Sequence, residues 1–65
     1  MRPDEWVSAL RNVATLQAKA SSDGALQQIL EASKIAHAQA TGEERADLET
    51  VIEAYRAEIA RKAAR

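Results

Sequence analysis

The sequence has no cysteine, so no disulfide can stabilise this 65-residue chain. It has a single histidine, whereas a structural zinc site draws four ligands mainly from cysteine and histidine. We therefore expect no bound metal and no cofactor. A chain of this length buries little apolar surface on folding. It must gain its stability from regular packing of its elements or from association.

Long hydrophobic runs are also lacking. No stretch approaches the roughly 18 consecutive apolar residues that indicate a membrane span, so we expect no membrane association. Residues 1–5 are not followed by the apolar run of a signal peptide. We expect a cytoplasmic protein, or one inside a virion or another assembly, rather than one secreted by a signal peptide.

Charge of one sign is not in excess. The formal net charge is −1, which gives no general attraction to nucleic acid or to an anionic membrane. The acids are concentrated at residues 43–53 and the bases at residues 56–65. This order suits the dipole of one long helix, in which acids favour the start and bases the end.

Glycine and proline are scarce, and fifteen residues are alanine, the strongest helix former. β-Branched residues are scattered and never alternate with polar ones, so no strand is predicted. The pattern predicts an all-α fold, either a small three-helix bundle or a helical hairpin with an extra helix, with antiparallel neighbours and short turns. The chain forms one domain, residues 1–65, with helices at about 3–20, 24–40 and 42–63.

Helix 1 starts at a proline, which is favoured in a first turn. Its main apolar stripe is predicted to face the core, and a weaker edge runs beside it. The stripe consists of Trp6, Leu10, Val13, Leu16 and Ala20, and the edge of Val7, Ala14 and Ala18.

Helix 3 is the best-specified element. Thr41 followed three residues later by Glu44 is typical of a capping box, in which each side chain bonds the other residue's backbone N–H. Gly42 lies between them and can close helix 2, although one helix continuous through Gly42 is the competing interpretation. An apolar seam at spacings of four, three and four then follows, made of Leu48, Ile52, Tyr55 and Ile59.

Two apolar residues point away from the main stripes of their helices. Ile35 lies roughly opposite the apolar face of helix 2, and Val7 lies off the stripe of helix 1. Together with the seam of helix 3 they are the candidate interface of the chain. Its residues are Val7, Ile35, Leu48, Ile52, Tyr55 and Ile59.

Candidate catalytic groups are few. His37 has Ser33 one turn before it, and this pair alone does not make a catalytic triad, so we expect no enzyme. We expect His37 to be a partly buried residue that donates to a carbonyl, a carboxylate or Gln17. The acids of helix 3 lie off the apolar stripe and match no metal motif.

The remaining function is association. We expect a small non-enzymatic protein–protein interaction module that self-associates, as a homo-oligomer, or docks on a larger protein, of the virion accessory, assembly-factor or inhibitor type. The alternative is a small nucleic-acid-binding regulator, because three helices with short turns resemble a helix-turn-helix arrangement in outline. Nucleic acid is the less favoured partner, since helix 3 begins with acids that repel phosphate.

Overall fold

The computed structural model describes residues 2–64, and all regular structure in that range is helical. The elements are α1 (Pro3–Ala20), α2 (Asp23–Gln39) and α3 (Gly42–Ala63). The all-α prediction is therefore confirmed, and the helices pack as a compact three-helix bundle. The bounds lie within one residue of those expected from the sequence.

The middle position belongs to α3, which packs against both other helices while α1 and α2 scarcely contact each other. Contacts at the helix ends set the directions. Trp6 of α1 bonds Asp47 near the start of α3, so α1 and α3 run parallel. His37 near the end of α2 contacts Glu49 near the start of α3, so α2 and α3 are antiparallel.

The turn between α1 and α2 is held against the end of α3. Lys62 Nζ donates to the carbonyl oxygen of Ser21 at 2.9 Å and lies 3.6 Å from Asp23 Oδ1. The hydroxyl oxygen of Ser22 accepts from the backbone N–H of Ala25 and caps α2. One lysine thus fixes the crossing of all three helices at this end of the molecule.

The break between α2 and α3 falls at Ala40 and Thr41, which are not helical, so the two helices are separate. Gly42 has φ +61°, the only positive φ among residues 2–64. A side chain there would meet no neighbouring atom, so the requirement for glycine comes from the backbone conformation alone.

The core lies on the two sides of α3. It combines large side chains of α2 and α3 with alanines of α1, which let α1 approach closely. Its buried members are Ala14, Ala18, Leu26, Leu30, Ile52, Ala54 and Tyr55, with Val51 and Ile59 packed against them.

The face of α1 that lies in the core is not the predicted one. Ala14 and Ala18 are in the core, whereas the larger side chains of Val13 and Leu16 are exposed. The weaker apolar edge was the inner face, because α3 carries Tyr55 and needs small partners across the contact. The prediction that the main stripe of helix 1 faces the core was therefore wrong.

Candidate functional site

The outer face of α1 carries a continuous apolar surface, which we call the α1 stripe. Its members are all exposed and recur at intervals of three, four, three and four residues. The exposed fraction is 46% for Trp6, 53% for Val13 and 67% for Leu16. At about 1.5 Å of rise per residue the stripe is roughly 21 Å long. It consists of Trp6, Ala9, Val13, Leu16 and Ala20.

The stripe is left in water because α1 has a second apolar face. Ala14 and Ala18 contact the rest of the molecule, and Val7 and Leu10 are half-buried on the same side. On a helix of 3.6 residues per turn, the stripe is rotated by about 130° from this inner face. One face stabilises the fold, and the other stays exposed, apart from the hydrogen bond that Trp6 makes with Asp47.

The N-terminal end of the α1 stripe has a fixed geometry. The indole Nε1–H of Trp6 donates to Asp47 Oδ1 at 2.9 Å. Trp6 also borders a shallow cleft of about 330 Å³ between α1 and α3, lined by Pro3, Trp6, Val7, Glu43, Ala46 and Asp47. The polar edge of the indole is thus bonded within the chain, and much of its ring remains exposed.

The predicted seam of α3 lies mainly inside the molecule. Tyr55 and Ile52 are buried in the core, Ile59 packs against the core, and Leu48 is half-buried. Tyr55 and Ile52 belong to the core that α3 shares with α1 and α2, so a second molecule could reach them only by opening the fold.

The two off-stripe residues differ in exposure. Ile35 is exposed over 62% of its surface, on the side of α2 away from Leu26 and Leu30. Val7 is half-buried at the cleft beside Trp6. Ile35 has the polar side chains of Glu31 and Gln39 one turn away on either side, so it does not belong to a long stripe.

Thr41 occupies the predicted N-cap position of α3, but the predicted capping-box hydrogen bonds are not formed. Thr41 is the N-cap residue, but its side chain makes no capping hydrogen bond, and no bond returns from Glu44. Gly42, the first residue of α3, has a left-handed φ, so the backbone directly after Thr41 departs from the regular geometry in which a capping side chain bonds the first free N–H groups.

The only histidine contacts a carboxylate. His37 Nε2 lies 3.1 Å from Glu49 Oε1, in a contact between α2 and α3. Ser33, the other half of the candidate pair, is buried in α2. Among residues 2–64, no three histidine, aspartate or glutamate side chains are grouped in a way that could hold a metal ion.

One carboxylate is buried inside the molecule. Glu58 is almost fully buried, and its Oε2 atom has no hydrogen-bond partner among residues 2–64. Arg61 Nη1 lies 3.4 Å from that atom, close enough for an ion pair but without hydrogen-bond geometry. The sequence gives no signal of this burial, because Glu58 reads as part of the charged face of helix 3.

No protein-family model matches the sequence, and no curated protein or solved structure matches it either. Within residues 2–64, none of the helices combines the length and the apolar character needed to cross a bilayer.

Proposed function

We propose that this protein is a small non-enzymatic interaction module, which self-associates or docks on a larger protein through the α1 stripe. The observation that carries the proposal is the exposure of Trp6, Val13 and Leu16 at helical spacing on one face. An exposed stripe of this periodicity fits against the apolar face of another helix.

The free energy left unused on this face supports the proposal. Complete burial of one large apolar side chain is worth about 1.5–3 kcal/mol. The three large residues of the stripe keep about half or more of their surface in water. A small domain has a total stability of only about 5–15 kcal/mol, so this is a substantial unused fraction. A partner that buries the stripe would gain this free energy.

The stripe also meets the requirement of continuity. Single exposed apolar residues are ordinary on protein surfaces, whereas contiguous patches indicate binding sites. Ile35 is a single exposed residue, and the α1 stripe extends over almost the whole helix. We therefore favour the α1 stripe over the Ile35 surface as the docking site.

The experiment compares three variants that each place a glutamate on an exposed position. Leu16→Glu lies in the stripe, Ile35→Glu lies on the rival surface, and Ser8→Glu lies on α1 outside the stripe as the matched control. The expected result is that Leu16→Glu alone reduces association, measured as solution mass and as capture of interacting proteins. Helical circular dichroism should be unchanged in all three.

Two results would count against the α1 stripe. Loss of association in Ile35→Glu with none in Leu16→Glu would move the docking site to α2. A chain that stays monomeric and captures nothing, in the unmodified form as in the variants, would contradict the function itself.

A further inference from the structure

We propose that the occupant of the α1 stripe is a second copy of this chain, whose own α1 lies antiparallel to the first about a two-fold axis beside Asn12. This inference rests on the proposed function and names its partner. It follows from the spacing of the apolar residues and from the charges along one border of the stripe.

The apolar layers match in this register. An antiparallel pair in which paired residue numbers add to 22 places Trp6 against the partner's Leu16 and Ala9 against the partner's Val13. The same contacts recur by symmetry. In the inner layers the small Ala9 faces the larger Val13, which is how facing helices interdigitate. The bulky pairs lie at the two ends of the contact and the smaller ones in the middle.

The charges beside the stripe favour an antiparallel arrangement of the two α1 helices. Glu5, Asn12 and Lys19 follow one another at seven-residue intervals along one border of the stripe, and all three are exposed. On this border each chain's flanking residues are offset by one position from the apolar layers, so their paired numbers add to 24 in the same antiparallel register. Glu5 then meets the partner's Lys19, Lys19 meets the partner's Glu5, and the two asparagines meet near the axis. Both ends of the contact therefore carry a pair of opposite charges.

The charged groups of Glu5 and Lys19 make few polar contacts within one chain. Within residues 2–64, Lys19 takes part in none of the ion pairs, and Glu5 accepts only a long bond of 3.4 Å from the backbone N–H of Arg2. A parallel pair would instead put Glu5 opposite the partner's Leu10, and it would align the two helix dipoles unfavourably. The antiparallel pair satisfies both the charges and the dipoles.

The size of the α1 stripe limits the affinity of the dimer. A standard stable interface buries about 800 Å² on each partner, and a single helix of 18 residues offers less than that. We therefore expect a reversible dimer that dissociates on dilution through the micromolar range.

The test exchanges the charges and measures dimerisation of the intact chain by sedimentation equilibrium. Glu5→Lys places like charges at both ends of the pair, and so does Lys19→Glu. Each variant alone should dimerise about three- to thirtyfold more weakly than the unmodified chain. An equimolar mixture of the two should regain the unmodified affinity, because the heterodimer has opposite charges at both ends. High salt should reduce these differences.

The mixture controls for damage to the fold, since two misfolded variants would not rescue each other. A mixture no tighter than the separate variants overturns the antiparallel register. An unmodified chain that is monomeric at high micromolar concentration overturns the second copy as occupant. If that monomer still captured a larger protein and Leu16→Glu abolished the capture, this inference would fail while the proposed function stood.

Discussion

Because α1 packs its alanines into the core, enlarging a buried alanine should destabilise the fold more than truncating an exposed leucine. Ala18 has no exposed surface, whereas Leu16 on the same helix is two-thirds exposed. Ala18→Leu adds three carbon atoms where there is no free space. Leu16→Ala removes the same atoms from a side chain that lies mostly in water.

The expected magnitudes are well separated. Overpacking of a core position costs about 1–3 kcal/mol. For a domain of this size, each kcal/mol shifts the melting temperature by about 4–8 °C, so Ala18→Leu should lower it by roughly 5–20 °C. Leu16→Ala loses only the buried third of a leucine, about 0.5–1 kcal/mol, and alanine is a good helix former.

The assays are thermal melting and urea unfolding, both followed by far-ultraviolet circular dichroism at a concentration low enough to keep every variant monomeric. Ala20→Leu is the matched control, because it makes the same change on an exposed position of the same helix. A greater loss of stability in Leu16→Ala than in Ala18→Leu would refute the assignment of the two faces of α1.

Four further substitutions test α3 and its contacts. Gly42→Ala should cost about 1–2 kcal/mol of unfolding free energy, because φ is +61° there, whereas Thr41→Ala should change the thermal melt little since its side chain caps nothing. Glu58→Leu should leave the free energy of urea unfolding unchanged or raise it, because it replaces a buried carboxylate whose Oε2 lacks a hydrogen bond, and a clear loss would contradict this. Lys62→Met should cost about 1.5–3 kcal/mol of the free energy of urea unfolding, because it removes the charged hydrogen bond to the carbonyl of Ser21. An unchanged free energy would show that this contact does not stabilise the helix crossing.

The number and position of the helices can be predicted from the sequence because local signals specify them. Pro3 opens α1, Ser22 caps α2, and Gly42 has the left-handed conformation that separates α2 from α3. These signals act within a few residues of the chain. They hold whatever the tertiary packing turns out to be.

The inward face of α1 could not be predicted in the same way, because two apolar faces compete on that helix. Hydrophobicity alone favours the face of Val13 and Leu16, whereas close packing against Tyr55 favours Ala14 and Ala18. The choice depends on the shape of α3, which periodicity does not report. For the same reason, periodicity did not predict that Glu58 is buried or that the α1 stripe is an exposed candidate surface.

The fluorescence of Trp6 tests the central claim most directly, because it is the only tryptophan in the chain and lies within the α1 stripe. The emission maximum should move to shorter wavelength as the concentration rises through the micromolar range, in step with the solution mass, and Leu16→Glu should abolish both changes. An emission maximum that stays constant up to high micromolar concentration, with the mass of a monomer throughout, would contradict pairing through this surface.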